Sequence, residues 1–321
     1  MKLDGKNIVV TGGAGFIGSH LVDALMKKNN HITVLDNLSS GKLEFLEQHE
    51  GKKHYSFVKE DLLNPDPLAK IVKGADCVFH LAANPDVRLG GHDTRVHLEQ
   101  NVIATHNLLE AMRKEDVSDI YFTSTSTVYG ETNVVPTPEC HGPLEPISLY
   151  GASKLACEAL ISAYAHNFTM QGLSFRFANV VGERSTHGVI YDFINKLKKD
   201  PSTLEILGTD PGTSKSYVHI DDAITGMVHA CENSDKTVDY FNLGTKEITT
   251  VRTIAEIVCK EMGLHHVKFN FTGGVDGGRG WKGDVRLMQL SIEKLERTGW
   301  KPNLSSDDAI RKTVKKLLSN S

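Results

Sequence analysis

The chain reads as an α/β fold built on a doubly wound parallel sheet, with a smaller substrate-binding domain toward its C-terminus. Three observations predict this. Strand-like apolar runs alternate with helical patterns through the first half. The runs are almost continuously apolar, as strands covered on both faces must be. The first run passes through a glycine-rich turn directly into an amphipathic helix.

The elements follow in order. A strand at Asn7–Thr11 enters Gly12-Gly13-Ala14-Gly15-Phe16-Ile17-Gly18, and a helix runs from about Phe16 to Lys28. Glycines let the backbone approach a pyrophosphate, and the helix start offers free N–H groups and a positive dipole end. This is a Rossmann-type arrangement, although Gly12-x-x-Gly15-x-x-Gly18 differs by one residue from G-x-G-x-x-G. A second strand, His31–Asp36, ends in a carboxylate about 20 residues past the glycines, where an acid binds the adenosine ribose. A carboxylate there repels a 2′-phosphate, so the expected cofactor is NAD and not NADP. Further strands are predicted at His54–Lys59, Cys77–Ala82, Ile120–Thr125 and Leu173–Ala178, with helices at His92–Lys114 and Leu149–Asn167.

After Asn179 the pattern shortens. A helix at Val189–Lys199, a strand at Leu204–Leu207, an element at Ser216–Ile220 and a helix from near Asp221 are expected, with a late strand at Val285–Ile292. The expected division is residues 1–180, plus about 216–245, for the cofactor domain, and 181–215 with 246–321 for the substrate domain.

Tyr150 and Lys154 stand four apart at the head of the helix Leu149–Asn167, so both side chains share one face. A free tyrosine, with a pKa of about 10, is a poor base at neutral pH. A neighbouring ammonium favours the phenolate, so the pair is expected to act as a proton-transfer device with the phenol pKa lowered. Thr125 ends the fifth strand, about 25 residues earlier, where a third catalytic group is expected.

Composition excludes several classes. The 321 residues carry a net charge of −4, which argues against nucleic acid or an anionic membrane as partner. Five scattered cysteines form no C-x-x-C, and none of the fifteen histidines has convincing ligand spacing with a third partner. No metal site is expected. The chain enters its first strand almost at once, with no signal peptide and no run able to span a bilayer, so a cytoplasmic protein is expected.

Taken together these residues resemble the extended short-chain dehydrogenase/reductase family, and most nearly its nucleotide-sugar 4-epimerases of the UDP-glucose 4-epimerase type. The resemblance covers essentially the whole chain. It is carried by Thr11 to Gly18, Asp36-Asn37-Leu38, Asp61-Leu62, His80-Leu81-Ala82-Ala83, Asn101-Val102, Thr127-Val128-Tyr129-Gly130, Tyr150 with Lys154, and Arg176-x-x-Asn179-x-x-Gly182. It implies that Tyr150 is the catalytic base, that Lys154 binds the nicotinamide ribose and lowers the tyrosine pKa, and that Thr125 hydrogen-bonds the sugar O4. Asp61 and Leu62 would border the adenine. Leu81, Ala82, Ala83 and Asn101 would line the cofactor cleft, with Asn37 beside the ribose carboxylate. Asn179, Lys215, Arg279 and Asp284 would hold the nucleotide diphosphate and nucleoside, and Met288 would border the hexose C2 substituent, a core position on the strand Val285–Ile292 being the equal alternative. A UDP-sugar substrate and a homodimer paired through the helices His92–Lys114 and Leu149–Asn167 are also implied.

Departures stand beside this. Lys215 replaces a guanidinium fork with a point charge. Trp281-Lys282-Gly283-Asp284 stands where Arg-Pro-Gly-Asp is more familiar, which displaces the phosphate arginine to Arg279. The expected reaction is reversible inversion at C4 of a nucleotide-activated hexose. A 4,6-dehydratase or decarboxylase of the same family is the nearest alternative, yet no carboxylate follows Thr125 before Tyr129. A non-catalytic NAD-binding regulator is the alternative of another class; such proteins usually lose the Tyr or Lys, and both are present here.

Overall fold

The computed structural model describes residues 2–319. Seven parallel strands form the central sheet: β1 (Asn7–Thr11), β2 (His31–Asp36), β3 (Tyr55–Lys59), β4 (Cys77–His80), β5 (Asp119–Thr125), β6 (Gln171–Phe177) and, much later in the chain, Val238–Leu243. In space the late strand leads, followed by β6, β5, β4, β1, β2 and β3. The order reverses between β1 and β4, where Thr11 pairs with Leu35 on one side and His80 on the other. The carboxyl ends of strands at such a reversal form the crevice that binds ligands on this fold.

Alternation along the strands makes two cores. Ile8, Val10, Phe79, Tyr121 and Phe175 face helices α1 (Phe16–Met26) and Ile220–Asn233 through Leu21, Leu25, Ile224 and Met227. Val9, Val78, Ile120 and Phe122 face the opposite layer, made by α2 (Leu68–Val72), α3 (Ala104–Lys114) and α4 (Leu149–Asn167) through Leu68, Leu108, Met112 and Ile161. Hence the sheet is doubly wound.

A third core lies apart from these. It joins α5 (Val189–Lys199), the strand pair Thr203–Ile206 with Lys268–Phe271, and the helices Val251–Glu261 and Ser306–Ser319. On that last helix Ile310, Thr313 and Val314 are buried while Lys315 and Lys316 are exposed, so the basic run 311–318 is a solvated face. A small sheet joins Ser214–Lys215 to Thr249–Thr250 and Leu287–Met288. Among the described residues no helix is long and apolar enough to cross a membrane.

Some expectations are corrected. The helix expected over His92–Lys114 begins only at residue 96, because residues 89–91 form a 3₁₀ turn and Asp93 accepts the Arg95 N–H in a local turn at 2.9 Å. Its first part, Leu98–Ile103, is π-helical. β4 stops at His80, two residues early: Leu81 still donates to the Thr11 carbonyl at 3.1 Å, but Ala82 donates to the Thr11 side chain at 3.3 Å in place of a backbone partner. The strand expected over Val285–Ile292 is only Leu287–Met288, with Leu290 bridging to Thr137.

Candidate active site

The glycine turn is fixed by close approach. Gly12 has φ +68°, and a Cβ on it would lie 2.6 Å from the Ala82 nitrogen. A Cβ on Gly18 would lie 2.2 Å from the Gly12 carbonyl oxygen. Gly15 caps α1 without any side-chain hydrogen bond, and no acid sits in the first turn formed by Phe16 and Ile17. The helix start therefore keeps its backbone donors for an anion. Asp36, 8% exposed, ends β2 with its carboxylate accepting the N–H groups of Ala14 at 3.0 Å and Leu38 at 2.8 Å. Burial raises its pKa against those two bonds. Asn37 donates to Asp61 at 2.9 Å, and Asp61 accepts from Leu63 at 2.8 Å, beside the buried Leu62. This cradle fits a dinucleotide: the glycines leave room that side chains would fill, and Asp36 offers acceptors for ribose hydroxyls.

The catalytic helix meets this crevice at α4. Ser148 caps it by accepting the Gly151 N–H at 3.1 Å, which places Tyr150 and Lys154 in its first turns. Thr125, at the end of β5, hydrogen-bonds the half-buried Tyr150 phenol. Thr125 also accepts from the Thr127 N–H at 3.2 Å, which begins the 3₁₀ turn Ser126–Tyr129. Lys154 is buried, donates to the Thr123 carbonyl at 2.8 Å and lies over the Phe122 ring at 4.6 Å.

Here the proton-transfer expectation needs a correction. Burial pushes the Tyr150 pKa up to about 12, and the Thr125 bond only partly opposes it. Burial also brings Lys154 down to about 8, against the pull of Cys157 and Glu158. Burial thus disfavours the charged form of both groups in the ligand-free protein. Beneath them His80 is wholly buried between Thr11 at 2.7 Å and Thr105 at 2.9 Å, and burial lowers its pKa to about 3, keeping it neutral.

Glu158 and His97 carry no expectation from sequence, whereas Asn101 does. Glu158 receives two bonds from Arg176, at 3.0 and 2.7 Å, and one from Ser124 at 2.5 Å. Arg176 also donates to the Tyr129 hydroxyl at 2.9 Å, which donates in turn to Asn242 at 2.8 Å. This buried network ties α4 to β5, β6 and the late strand. A glutamate one turn after Lys154, in an otherwise apolar helix, was its only sequence signal. Asn101, in the π-helical turn, donates to Ser153 at 2.8 Å and accepts the Asn84 N–H at 2.8 Å. It therefore couples the loop after β4 to the residue before Lys154. His97 is buried edge-on to Tyr150, ring centroids 5.7 Å apart.

On the substrate side the structure brings Lys215, Arg279 and Asp284 together. Lys215 pairs with Asp284 at 2.5 Å. The Arg279 guanidinium donates to the Asp284 carbonyl at 2.9 Å and pairs with Glu131, which the sequence reading had not named. Asn179 stands on the strand Asn179–Val181 and donates to the Ser216 carbonyl at 3.1 Å. Met288 is the strand partner of Lys215, but it belongs to the main hydrophobic core at 9% exposure. That placement gives Met288 a packing role beside the strand that carries Lys215. Elsewhere His20, Glu183 and Asp221 approach one another from three distant segments, a grouping sequence spacing could not show. Of these, Asp221 pairs with Lys312 at 2.7 Å.

The sequence model of the NAD dependent epimerase/dehydratase family matches residues 8–244. The chain belongs to that family. A Methanocaldococcus jannaschii protein with the provisional name UDP-glucose 4-epimerase is 34% identical, over 98% of this chain and 99% of its own. A crystal structure of a UDP-galactose 4-epimerase is 42% identical, with a TM-score of 0.86 over 98% of this chain and 99% of the other. A dTDP-glucose 4,6-dehydratase from Streptomyces venezuelae, solved with NAD, is 27% identical with a TM-score of 0.89, over 98% and 97%. The chain is thus an NAD-dependent enzyme similar to UDP-glucose 4-epimerases.

Proposed function

We propose that this enzyme reversibly inverts C4 of a UDP-activated hexose, glucose or galactose first. The observation that carries this reading is the Thr125–Tyr150 pair at the end of β5, with Lys154 beneath it and no carboxylate in the turn Ser126–Tyr129. An elimination at C5–C6 needs an acid–base partner beside the sugar, and this turn offers only hydroxyls. Bound NAD supplies a positively charged acceptor for the hydrogen that leaves C4. The chain's own part is proton handling: Tyr150 holds the O4 proton, and Thr125 donates to the oxygen as charge develops on it. Lys154, anchored on Thr123, orients the ribose side of the crevice. Lys215, Arg279, Asp284 and Asn179 are assigned to the nucleotide, and residues 181–215 with 246–321 to the substrate domain.

The same reading includes a homodimer, since Leu98 and Ile103 leave 52% and 42% of their surface exposed on the helical stretch expected to pair. Light scattering at micromolar concentration should give twice the chain mass. The deciding experiment incubates purified protein with UDP-galactose and separates the products by chromatography. UDP-glucose is expected. A 4-keto-6-deoxy product would replace this reading with dehydration.

A further inference from the structure

Two tryptophans occur in the chain, Trp281 and Trp300, and they are held differently. Trp300 packs against the helix Ile220–Asn233 and donates its indole N–H to Thr225 at 3.2 Å. The Trp281 N–H is buried and has no partner among the described residues. An unsatisfied buried donor costs about 1–3 kcal/mol, so its persistence calls for an explanation.

Its surroundings supply one. The Lys215 ammonium lies over the Trp281 ring, 5.4 Å from the centroid. Lys215 and Arg279 each keep 15% of their side chain exposed, so two cations stand at this place, held meanwhile by Asp284 and Glu131. A Cβ on Gly283 would lie 3.1 Å from the Ile147 carbonyl oxygen and 3.7 Å from the Ser148 Cβ. The loop carrying Trp281 therefore abuts the cap of α4, two residues before Tyr150. A donor with no acceptor, beside two cations at the mouth of the catalytic helix, suits an anionic ligand with several acceptor oxygens.

We infer that Trp281 binds substrate: its indole N–H donates to the diphosphate of the nucleotide sugar, beside Lys215. This rests on the UDP-sugar reading above and adds to it a residue and an atom. The cofactor diphosphate belongs to the separate cradle at Gly12–Gly18. Trp281 also makes the site observable, because the other tryptophan lies against a different helix.

The test uses full-length holoenzyme, wild type and Trp281→Phe, which keeps an aromatic ring and removes the donor. Binding of UDP, UMP and uridine is measured by calorimetry, and tryptophan emission is followed in the same titrations. UDP should change the emission of the wild type and leave that of Trp281→Phe unmoved. The Kd for UDP should rise at least about tenfold in the variant, as loss of a hydrogen bond to a charged group requires. The Kd for uridine should stay within about twofold, and the melting temperature should show the variant folded. Trp281→Arg, which returns donors without an indole, should recover UDP affinity.

Equal UDP affinity in wild type and Trp281→Phe would overturn the inference. So would a uridine affinity that falls as far as that for UDP, since the indole would then serve the nucleoside. If wild-type protein binds no UDP at all, the substrate reading itself fails and the inference goes with it.

Discussion

Replacing Lys154 by Met separates the charge of this residue from its bulk. Met retains most of the packing against Phe122 and removes the ammonium that donates to Thr123. In the ligand-free protein the Tyr150 pKa is about 12, so the phenolate is scarce at neutral pH. Each pKa unit is about 1.4 kcal/mol, and bringing the phenol to about 8 needs roughly 5 kcal/mol. A cation within about 4–6 Å supplies about 1–3 units of this. Lys154→Met should therefore cost about 10- to 1,000-fold in turnover at pH 7. Below its pKa the phenolate fraction grows tenfold per pH unit, so the variant should regain about tenfold per unit. Burial has lowered the Lys154 pKa to about 8, so the wild type loses its ammonium as pH rises through that value. The two rate profiles should consequently converge above pH 8. Initial rates of UDP-galactose conversion from pH 6.5 to 10 test this. The unpaired Thr123 carbonyl costs about 1–3 kcal/mol of stability, so a melting curve must show that the variant is folded throughout. A deficit of the same size at every pH would mean that Lys154 only orients ligands, and the electrostatic argument would fall.

Three further outcomes are expected. Tyr150→Phe should lower turnover at least about 100-fold while still releasing NAD(H) when denatured, because the ring stays and only the proton carrier is lost; near-normal turnover would refute its role as the base. Glu158→Gln leaves the buried Arg176 without its charge partner and should cost about 3–5 kcal/mol in denaturant unfolding; a change under about 1 kcal/mol would show the network to be dispensable. Met288→Tyr overfills a buried position and should destabilise by about 1–3 kcal/mol, with equal activity losses on plain and N-acetylated UDP-hexoses; selective loss of the N-acetylated substrate would instead return Met288 to the sugar.

The half of the molecule that binds cofactor was readable because its constraints are local. Strand, glycine turn and helix are contiguous from Asn7 to Met26, and the close approaches at Gly12 and Gly18 permit no other residue type. The inner strands β1 and β4 announced themselves because burial on both faces favours apolar runs, as in Ile8–Val10 and Cys77–Phe79. The misjudged elements were those whose limits depend on neighbours. Nothing in His92–Lys114 shows that Asn101 will hold both Asn84 and Ser153 from a widened helical turn, since the π geometry accompanies contacts with segments 17 and 52 residues away. For Met288 the sequence leaves a core position and a ligand-facing one equally open, and only its strand partner and core neighbours show how it packs.

The catalytic pair shows a different limit. Spacing places Tyr150 and Lys154 on one helical face, but it does not fix which group ionises first. That order follows from burial, which raises one pKa and lowers the other until the neutral pair is favoured between about 8 and 12. The ligand-free site therefore disfavours the phenolate at neutral pH. The substrate side is arranged in a similar way. Lys215 and Arg279 are held by Asp284 and Glu131, while the Trp281 donor has no partner among the described residues. Proton transfer and diphosphate binding each then wait on a ligand to complete a charge arrangement that the chain leaves unfinished. On the proposed epimerase reading, such a chain confines its reactive state to the loaded enzyme, where the hydrogen taken from the sugar is held until it returns.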